Sequence, residues 1–293
     1  MSVIIATRDR SEFLTRCVEA LLAQDVYPRQ IVVVDQGTEP LRDELLAGAD
    51  GVEIVLLRDD GVGVSRARNI ALAAARCRFF AVVDDDCVPA PSWLAAITAA
   101  LAANDAVDGV CGRVLPLPSH GDRLFPVSSR TSIVPADYTN GAVPWRVGTG
   151  GNFAARTELV RRLGGYDCRL GPGCQSGAGE DIDLIYRMLR AGATIRYSPD
   201  AIVRHERVAA VRRRATRHSY GRGIGAFVGV RGREGDLRVT VLLLRWGLRR
   251  LALLARAALR LDRVGVIEEM IVLLSTAGGL AHGLRIRPKA GPA

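Results

Sequence analysis

Three carboxylates stand side by side at Asp84, Asp85 and Asp86, directly after the apolar run Phe79–Phe80–Ala81–Val82–Val83. Adjacent anions at the mouth of a buried strand repel one another unless a cation or a hydrogen-bonded ligand compensates them. Divalent ions such as Mg2+ and Mn2+ suit such a group, commonly through one or two protein carboxylates together with substrate phosphates. A solvated acidic turn is the plainer alternative. A second acidic group, Glu180–Asp181–Ile182–Asp183, opens a helical pattern after the glycine-rich stretch from Gly164 to Gly179. The helix dipole alone favours acids at such a position.

The elements that must position these groups read as an alternation of short apolar strands and helices. Ser2–Ala6, Ile31–Val34, Glu53–Leu57 and Phe79–Val83 are the strands. Between the first two, Asp9 is expected to cap a helix with Glu12 as its capping-box partner. Val64–Arg76 reads as the helix before the fourth strand. Such an order predicts a mostly parallel sheet covered on both faces. Thr7, Asp35, Asp59 and Asp84–Asp86 all fall where strands end, and ligands of open α/β sheets bind at the carboxyl ends of strands. Beyond Asn104 the pattern changes: a strand over Val107–Val114, then a Pro- and Ser-rich segment from Leu115 to Arg146. Gly148–Thr149–Gly150–Gly151–Asn152 follows, then strands at Thr194–Tyr197 and Ala201–Val203, ending on His205. From Leu237 to about Leu284 the chain reads as helical.

With 293 residues, 48% of them hydrophobic, the chain can bury a substantial core. Met1–Thr7 reads as a buried strand with none of the marks of a cleavable leader. The longest weakly polar stretch, Met270–Leu284, is short of the ~20 residues that span a bilayer. Six scattered cysteines form no metal-type pair and suit the reducing cytoplasm. Lys289 is the only lysine. Arg204–Arg263 holds sixteen arginines against four acids, which leaves the preceding residues mildly acidic within a net charge of +9.

In sequence order, Val3–Ile4–Ile5–Ala6–Thr7–Arg8–Asp9–Arg10, Ile31–Asp35, Ser65–Arg66–Ala67–Arg68–Asn69, Asp84–Asp85–Asp86, Gly148–Asn152, Leu163–Asp167 and Gly179–Leu184 resemble the landmarks of glycosyltransferase family 2. The likeness runs from residue 2 to about 206. It implies the GT-A fold, Rossmann-like, with a sheet flanked by helices and an inverting, metal-dependent transfer of one sugar from a nucleotide-diphosphate sugar to an acceptor hydroxyl, in cell-envelope, glycolipid or natural-product glycosylation. Residues 1–206 would be the catalytic domain, with a nucleotide-sugar half to about 105 and an acceptor half from about 106. Residues 207–293 would be a basic helical extension. Thr7 and Asp35 would hold the nucleoside, Arg66 would face the diphosphate or base, and Asn69 would support that loop. Asp84 would contact the ribose, Asp85 would belong to the donor site, and Asp86 would hold Mn2+ or Mg2+ with His205 as a further ligand. Asp181 would be the catalytic base, taking the proton of the acceptor hydroxyl. Gly150, Gly151, Asn152 and Glu180 would belong to the acceptor region.

Other readings fare worse. Gly61–Val62–Gly63–Val64–Ser65–Arg66 has Arg where a dinucleotide fingerprint needs its third Gly, and it does not follow the first strand. Arg245–Trp246 matches part of the motif of processive synthases, but Leu242 stands in place of Gln. A non-catalytic membrane-surface protein on the same fold is the alternative from another class. Arg245, Arg249, Arg256, Arg260 and Arg263 share one helical face, with leucines over much of the remainder. An interfacial helix on an anionic membrane and a helix packing its leucines on the catalytic domain both fit that pattern. The expected location is cytoplasmic, free or peripheral on the inner face of the plasma membrane. No nucleic-acid motif accompanies the arginines, so no nucleic-acid partner is expected.

Overall fold

The computed structural model describes residues 1–39, 41, 51–118 and 124–287. Part of the irregular segment after Leu115, and Lys289, lie outside the described residues. The chain divides into two compact units, one formed by Met1–Tyr166 with Asp181–Val208, the other by Asp167–Glu180 with Ala209–Ala293.

The first unit opens with β1 (Ser2–Thr7), α1 (Ser11–Leu22), β2 (Gln30–Asp35), β3 (Glu53–Arg58), α2 (Val64–Ala74) and β4 (Phe79–Val83). It continues with β5 (Cys87–Pro89), α3 (Trp93–Ala102), β6 (Val107–Pro116), β7 (Leu124–Phe125), β8 (Ala136–Tyr138), β9 (Asn152–Arg156) and α4 (Thr157–Arg162). Then come α5 (Glu180–Arg190), whose first residue belongs to the second unit, and β10 (Thr194–His205). The main sheet runs β3-β2-β1-β4-β9-β6-β10-β5, with β8 also paired to β10. Its first four strands are parallel, as the alternation of strands and helices requires. From there the sheet is mixed: β9 is antiparallel to both β4 and β6, while β6 and β10 are parallel. The two short strands read near residues 194 and 203 are one twelve-residue strand, β10, with a register shift between Ser198 and Ile202.

Side chains alternate between faces along each strand, and the core divides accordingly. Val3, Ile5, Ile31, Val33, Ala81 and Val83 face the apolar sides of α1 and α3. Ile4, Val32, Val34, Phe80 and Val82 face α2 and α5. Both faces are covered, so these strands are continuous apolar runs. The capping box expected at Asp9 does not form. Helix α1 starts at Ser11 without a side-chain cap, Asp9 has φ of 54°, and its carboxylate accepts from the Thr38 amide at 2.6 Å and hydroxyl at 2.9 Å.

The second unit consists of the 167–180 segment with α6 (Ala210–Arg233), α7 (Arg238–Leu259) and α8 (Arg263–Arg285). The helical run read from Leu237 is interrupted at Leu261, φ 55°, after which Asp262 caps α8 by accepting from the Gly265 amide at 2.9 Å. Helix α8 is longer than the Met270–Leu284 stretch suggested. Its 23 residues are long and apolar enough to cross a membrane by length and composition alone.

Asn152, 1% exposed, ties the first unit together. Its amide nitrogen donates to the carbonyls of Arg113 (3.0 Å) and Ala201 (2.8 Å), and its oxygen accepts from the Trp93 indole at 2.8 Å. Asn152→Leu leaves a buried donor and two carbonyls unpaired, each costing about 1–3 kcal/mol. The variant is expected to lose on the order of 3 kcal/mol, read as a lower urea midpoint at unchanged slope.

Candidate active site

Strands β1 and β4 are adjacent and parallel, and the chain leaves β1 toward β2 on one side and β4 on the other. That is the topological switch point, where an open α/β sheet forms its crevice. Thr7 ends β1 there, and Asp84–Asp86 follow β4.

The three carboxylates diverge. Asp84 is held by Arg68 at 2.7 Å, an arginine only 4% exposed whose guanidinium also lies over the Tyr166 ring. Asp85 turns inward, accepting from the Thr7 hydroxyl at 2.9 Å and from Arg10 at 3.1 Å. Its pKa is pushed up to about 6, first by burial and next by the neighbouring Asp86, against the pull of Arg10 and Thr7. Asp86 accepts from the same Arg10 at 3.1 Å and lies 3.5 Å from Nε2 of His205. Two arginines thus offset much of three negative charges, and the remainder suits one further cation.

His205 arrives on the end of β10, which pairs antiparallel with β5 so that His205 stands opposite Cys87. Its Nδ1 lies 2.7 Å from the Glu206 carbonyl. A carbonyl only accepts, so Nδ1 carries a proton, and in the neutral ring Nε2 presents a lone pair toward Asp86. Ligand atoms of Asp84, Asp86, Cys87 and His205 all lie within 4.8 Å of one another.

A glycine pair joins this group to α5. The Gly150 amide donates to Oδ2 of Asp181 at 2.9 Å, while Oδ1 of Asp181 accepts from the Ile182 amide at 2.7 Å. A Cβ on Gly151 would stand 2.3 Å from Oδ2 of Asp84, and one on Gly150 would stand 2.9 Å from Cβ of Asp181. Only a chain without side chains here lets Asp84 and Asp181 approach the same backbone.

Thr7, Asp84, Asp85, Asp86, His205, Gly150, Gly151 and Asp181 therefore form one connected group. The remaining expected residues surround it or support it. Asp35, 2% exposed, accepts from the Gly37 amide and from Arg58, both at 2.8 Å. Arg66 pairs with Asp59 through two nitrogens at 2.8 to 3.0 Å. Asn69 brackets Tyr166, donating to its carbonyl at 2.9 Å and accepting from its amide at 2.7 Å. Asn152 is in the frame described above, with its polar atoms turned to β6, β10 and α3. Glu180 is buried and belongs to the second unit. Sequence reasoning missed Arg10, Arg68 and Cys87. Arg68 had a signal: it sits on the apolar side of α2 with Ala67, Ala71 and Leu72, where a charge calls for a partner.

The model of glycosyltransferase like family 2 matches residues 1–221. The chain belongs to that family. Among its relatives, the pre-mycofactocin glycosyltransferase of Mycobacterium tuberculosis is 29% identical over 290 residues, covering 90% of this chain. The family 2 chain spans only 57% of that protein's length. Solved structures share the GT-A fold. The mannosyltransferase PcManGT of Pyrobaculum calidifontis, in complex with GDP-Man and Mn2+, has a TM-score of 0.60 at 17% identity, covering 96% of this chain and 86% of that one. S. aureus TarS in complex with UDP-GlcNAc has a TM-score of 0.61 at 17% identity, covering 78% and 65%.

The Asp59–Arg66 pair yields a pH test. Hydrogen bonding from Arg66 first, and also from Gln36 and the Gly61 amide, lowers the Asp59 pKa to about 2. A carboxylate depressed in the folded state stabilises above its unfolded pKa of about 3.9 and ceases to do so as pH falls through the folded value. Arg66 is half exposed, so the contribution is about 1 kcal/mol. Urea titrations should find Asp59→Asn less stable than wild type at pH 6, with the gap closing between pH 4 and pH 2.

Proposed function

We propose that the chain transfers a single sugar from a nucleotide-diphosphate donor to an acceptor hydroxyl, inverting the anomeric centre, with residues 1–206 as the catalytic domain. The observation that carries this reading is the convergence of two acidic groups far apart in sequence, Asp84–Asp86 and Asp181, on one glycine pair at the switch point of the sheet. The complexes of relatives of the same fold with GDP-Man and UDP-GlcNAc support a donor of this class.

In this reading Asp86 and His205 hold a divalent cation, Mn2+ or Mg2+, and Asp84, placed at the ribose by the resemblance, is close enough to join them, with Cys87 beside them. Their oxygen and nitrogen donors and their mutual spacing fit such an ion. When bound, the ion supplies Lewis-acid stabilisation of the charge that develops on the departing diphosphate. Asp85 then has a supporting part: from beneath the site it fixes Arg10 and Thr7, and Arg10 in turn orients Asp86. Asp35 and Arg66 border the crevice at the ends of β2 and on α2, where the nucleoside would lie. Asp181 takes the proton of the acceptor hydroxyl as its oxygen attacks the anomeric carbon. The bond from that carbon to the diphosphate breaks, and the nucleoside diphosphate leaves with the electron pair. One displacement gives inversion. The two backbone amides that hold Asp181 leave it lone pairs for the proton.

Two substitutions test the assignment. Asp181→Asn should bind the donor as wild type does while losing transfer, or donor hydrolysis, by a factor of roughly 10² to 10⁴, the range of general-base catalysis. A wild-type rate would assign the base elsewhere. Asp86→Ala should abolish calorimetric Mn2+ binding. In thermal shift it should also lose the stabilisation by UDP or GDP with Mn2+, about 2.7 kcal/mol at 100 times the Kd for the intact site. Undiminished Mn2+ affinity in that variant rejects the proposed metal ligands.

A further inference from the structure

Helix α8 is amphipathic the wrong way round for a helix facing water. Its acids point inward: Glu268 and Glu269 are 4% and 7% exposed. Glu268 is paired with Arg213 at 2.9 Å and Arg217 at 3.3 Å of α6, and Glu269 with Arg250 of α7 at 3.2 Å. Its outward face carries Ile267, Met270, Leu274, Ala277, Ala281 and Leu284, with Leu274 70% exposed. Between Arg263 and Arg285 no outward position of α8 is charged. A water-facing helix places charge outside and apolar groups inside, whereas a helix in contact with hydrocarbon turns its ionisable groups toward its neighbours. The α6–α8 contact suits the same surroundings. Gly225 and Gly229 of α6 approach Thr276, Leu280 and Gly283 of α8 so closely that added Cβ atoms would lie 2.0 to 2.8 Å from backbone. Small residues that let two backbones approach are the usual helix contact in lipid.

Helix α7 supplies the other half of the pattern. Val239, Leu242, Trp246 and Ala257 are its buried side. At about 100° per residue, Val241, Leu244, Leu248 and Leu251 fall on the opposite side, each more than half exposed. Arg245, Arg249, Arg256 and Arg260 form a parallel stripe about a quarter-turn away. The turn between α7 and α8 continues the apolar surface with Leu259 and Leu261, both 87% exposed.

We propose that the α7–α8 hairpin of the second unit is a membrane-docking surface for a leaflet with anionic headgroups, lying in the interface with its leucine turn inserted and its arginines at the headgroups. Charge complementarity selects this occupant: leucines flanked by arginines match acyl chains bordered by anionic lipid. The arginines of α7 keep that helix from spanning, so the hairpin lies on one leaflet. The inference is independent of the proposed transfer reaction.

The test is flotation of the full chain with vesicles of mixed phosphatidylglycerol and phosphatidylcholine, against phosphatidylcholine alone. The chain should float with the anionic vesicles, less so as salt rises, and alkaline carbonate should release it. Leu259→Glu with Leu261→Glu, at exposed turn positions, should lower partition at least tenfold while the thermal melt stays that of wild type. Arg256→Gln and Arg260→Gln should each lower it roughly fivefold at low salt. Wild-type protein that stays in solution overturns the proposal, as does leucine-variant protein that floats equally well. Carbonate-resistant protein overturns the surface placement in favour of a spanning helix. A dimer in sedimentation that the leucine substitutions dissociate, without flotation, assigns the face to a second copy of the chain instead.

Discussion

The mutual repulsion of Asp84, Asp85 and Asp86 is the constraint around which the first unit is organised. Three carboxylates on consecutive residues at a buried strand end are unstable by themselves, and the surrounding elements each contribute a remedy. The loop after β1 brings Arg10 to Asp85 and Asp86, β1 itself brings the Thr7 hydroxyl, and α2 brings Arg68 to Asp84. Burying Arg68 at 4% exposure would be costly without a charged partner. The compensation is incomplete: two arginines face three carboxylates, which leaves the cluster with residual negative charge.

The sheet explains why these remedies meet. Parallel pairing of β1 with β4 puts both carboxyl ends at the same edge, so Thr7 and Asp85 touch across seventy-eight positions of sequence. The antiparallel entry of β9 then matters. Its pairing begins with Asn152 opposite Val83, so the Gly150–Gly151 turn that precedes it comes out beside Asp84. Had β9 run parallel to β4, its amino-terminal glycines would lie at the opposite edge. Asn152 fixes that entry by bonding to β6, β10 and α3. Of the residues expected in the acceptor region, Gly150 and Gly151 lie against Asp84 and Asp181, and Asn152 holds that pair in place.

What was legible in the sequence follows from which forces are local. The first four strands and the carboxylates at their ends were plain, because apolar runs closed by Asp report burial and chain direction together. The capping box at Asp9 was misread because the carboxylate has a non-local partner, Thr38, that no spacing rule reveals. Arg10 was invisible for the same reason: its partners Asp85 and Asp86 follow another strand, and one more arginine in an arginine-rich chain attracts no notice. Helix α6 lies within the extension expected to be helical but could not be delimited there, because its glycines carry no apolar periodicity, although Gly221, Gly225 and Gly229 are what its contact with α8 needs. Residues 194–205 read as two strands because Ser198–Pro199–Asp200 interrupts the apolar pattern. The structure continues through it with a register shift, so that β10 delivers His205 to the site.

The two units illustrate opposite uses of buried charge. In the first, carboxylates gather at the rim of a sheet with side-chain exposures from 7% for Asp85 to 35% for Asp84, partly open to solvent. In the second, Glu268 and Glu269 are enclosed and matched to arginines on neighbouring helices. Breaking such a pair by removing one partner leaves an uncompensated charge, which is why enclosed pairs fix how helices are registered. Once α8 has its acids committed to α6 and α7, its opposite side has only apolar residues left to present. The exposed apolar face is thus a direct consequence of how the three helices are registered: any rotation of α8 that hid Leu274 would bring Glu268 and Glu269 out of their pairs.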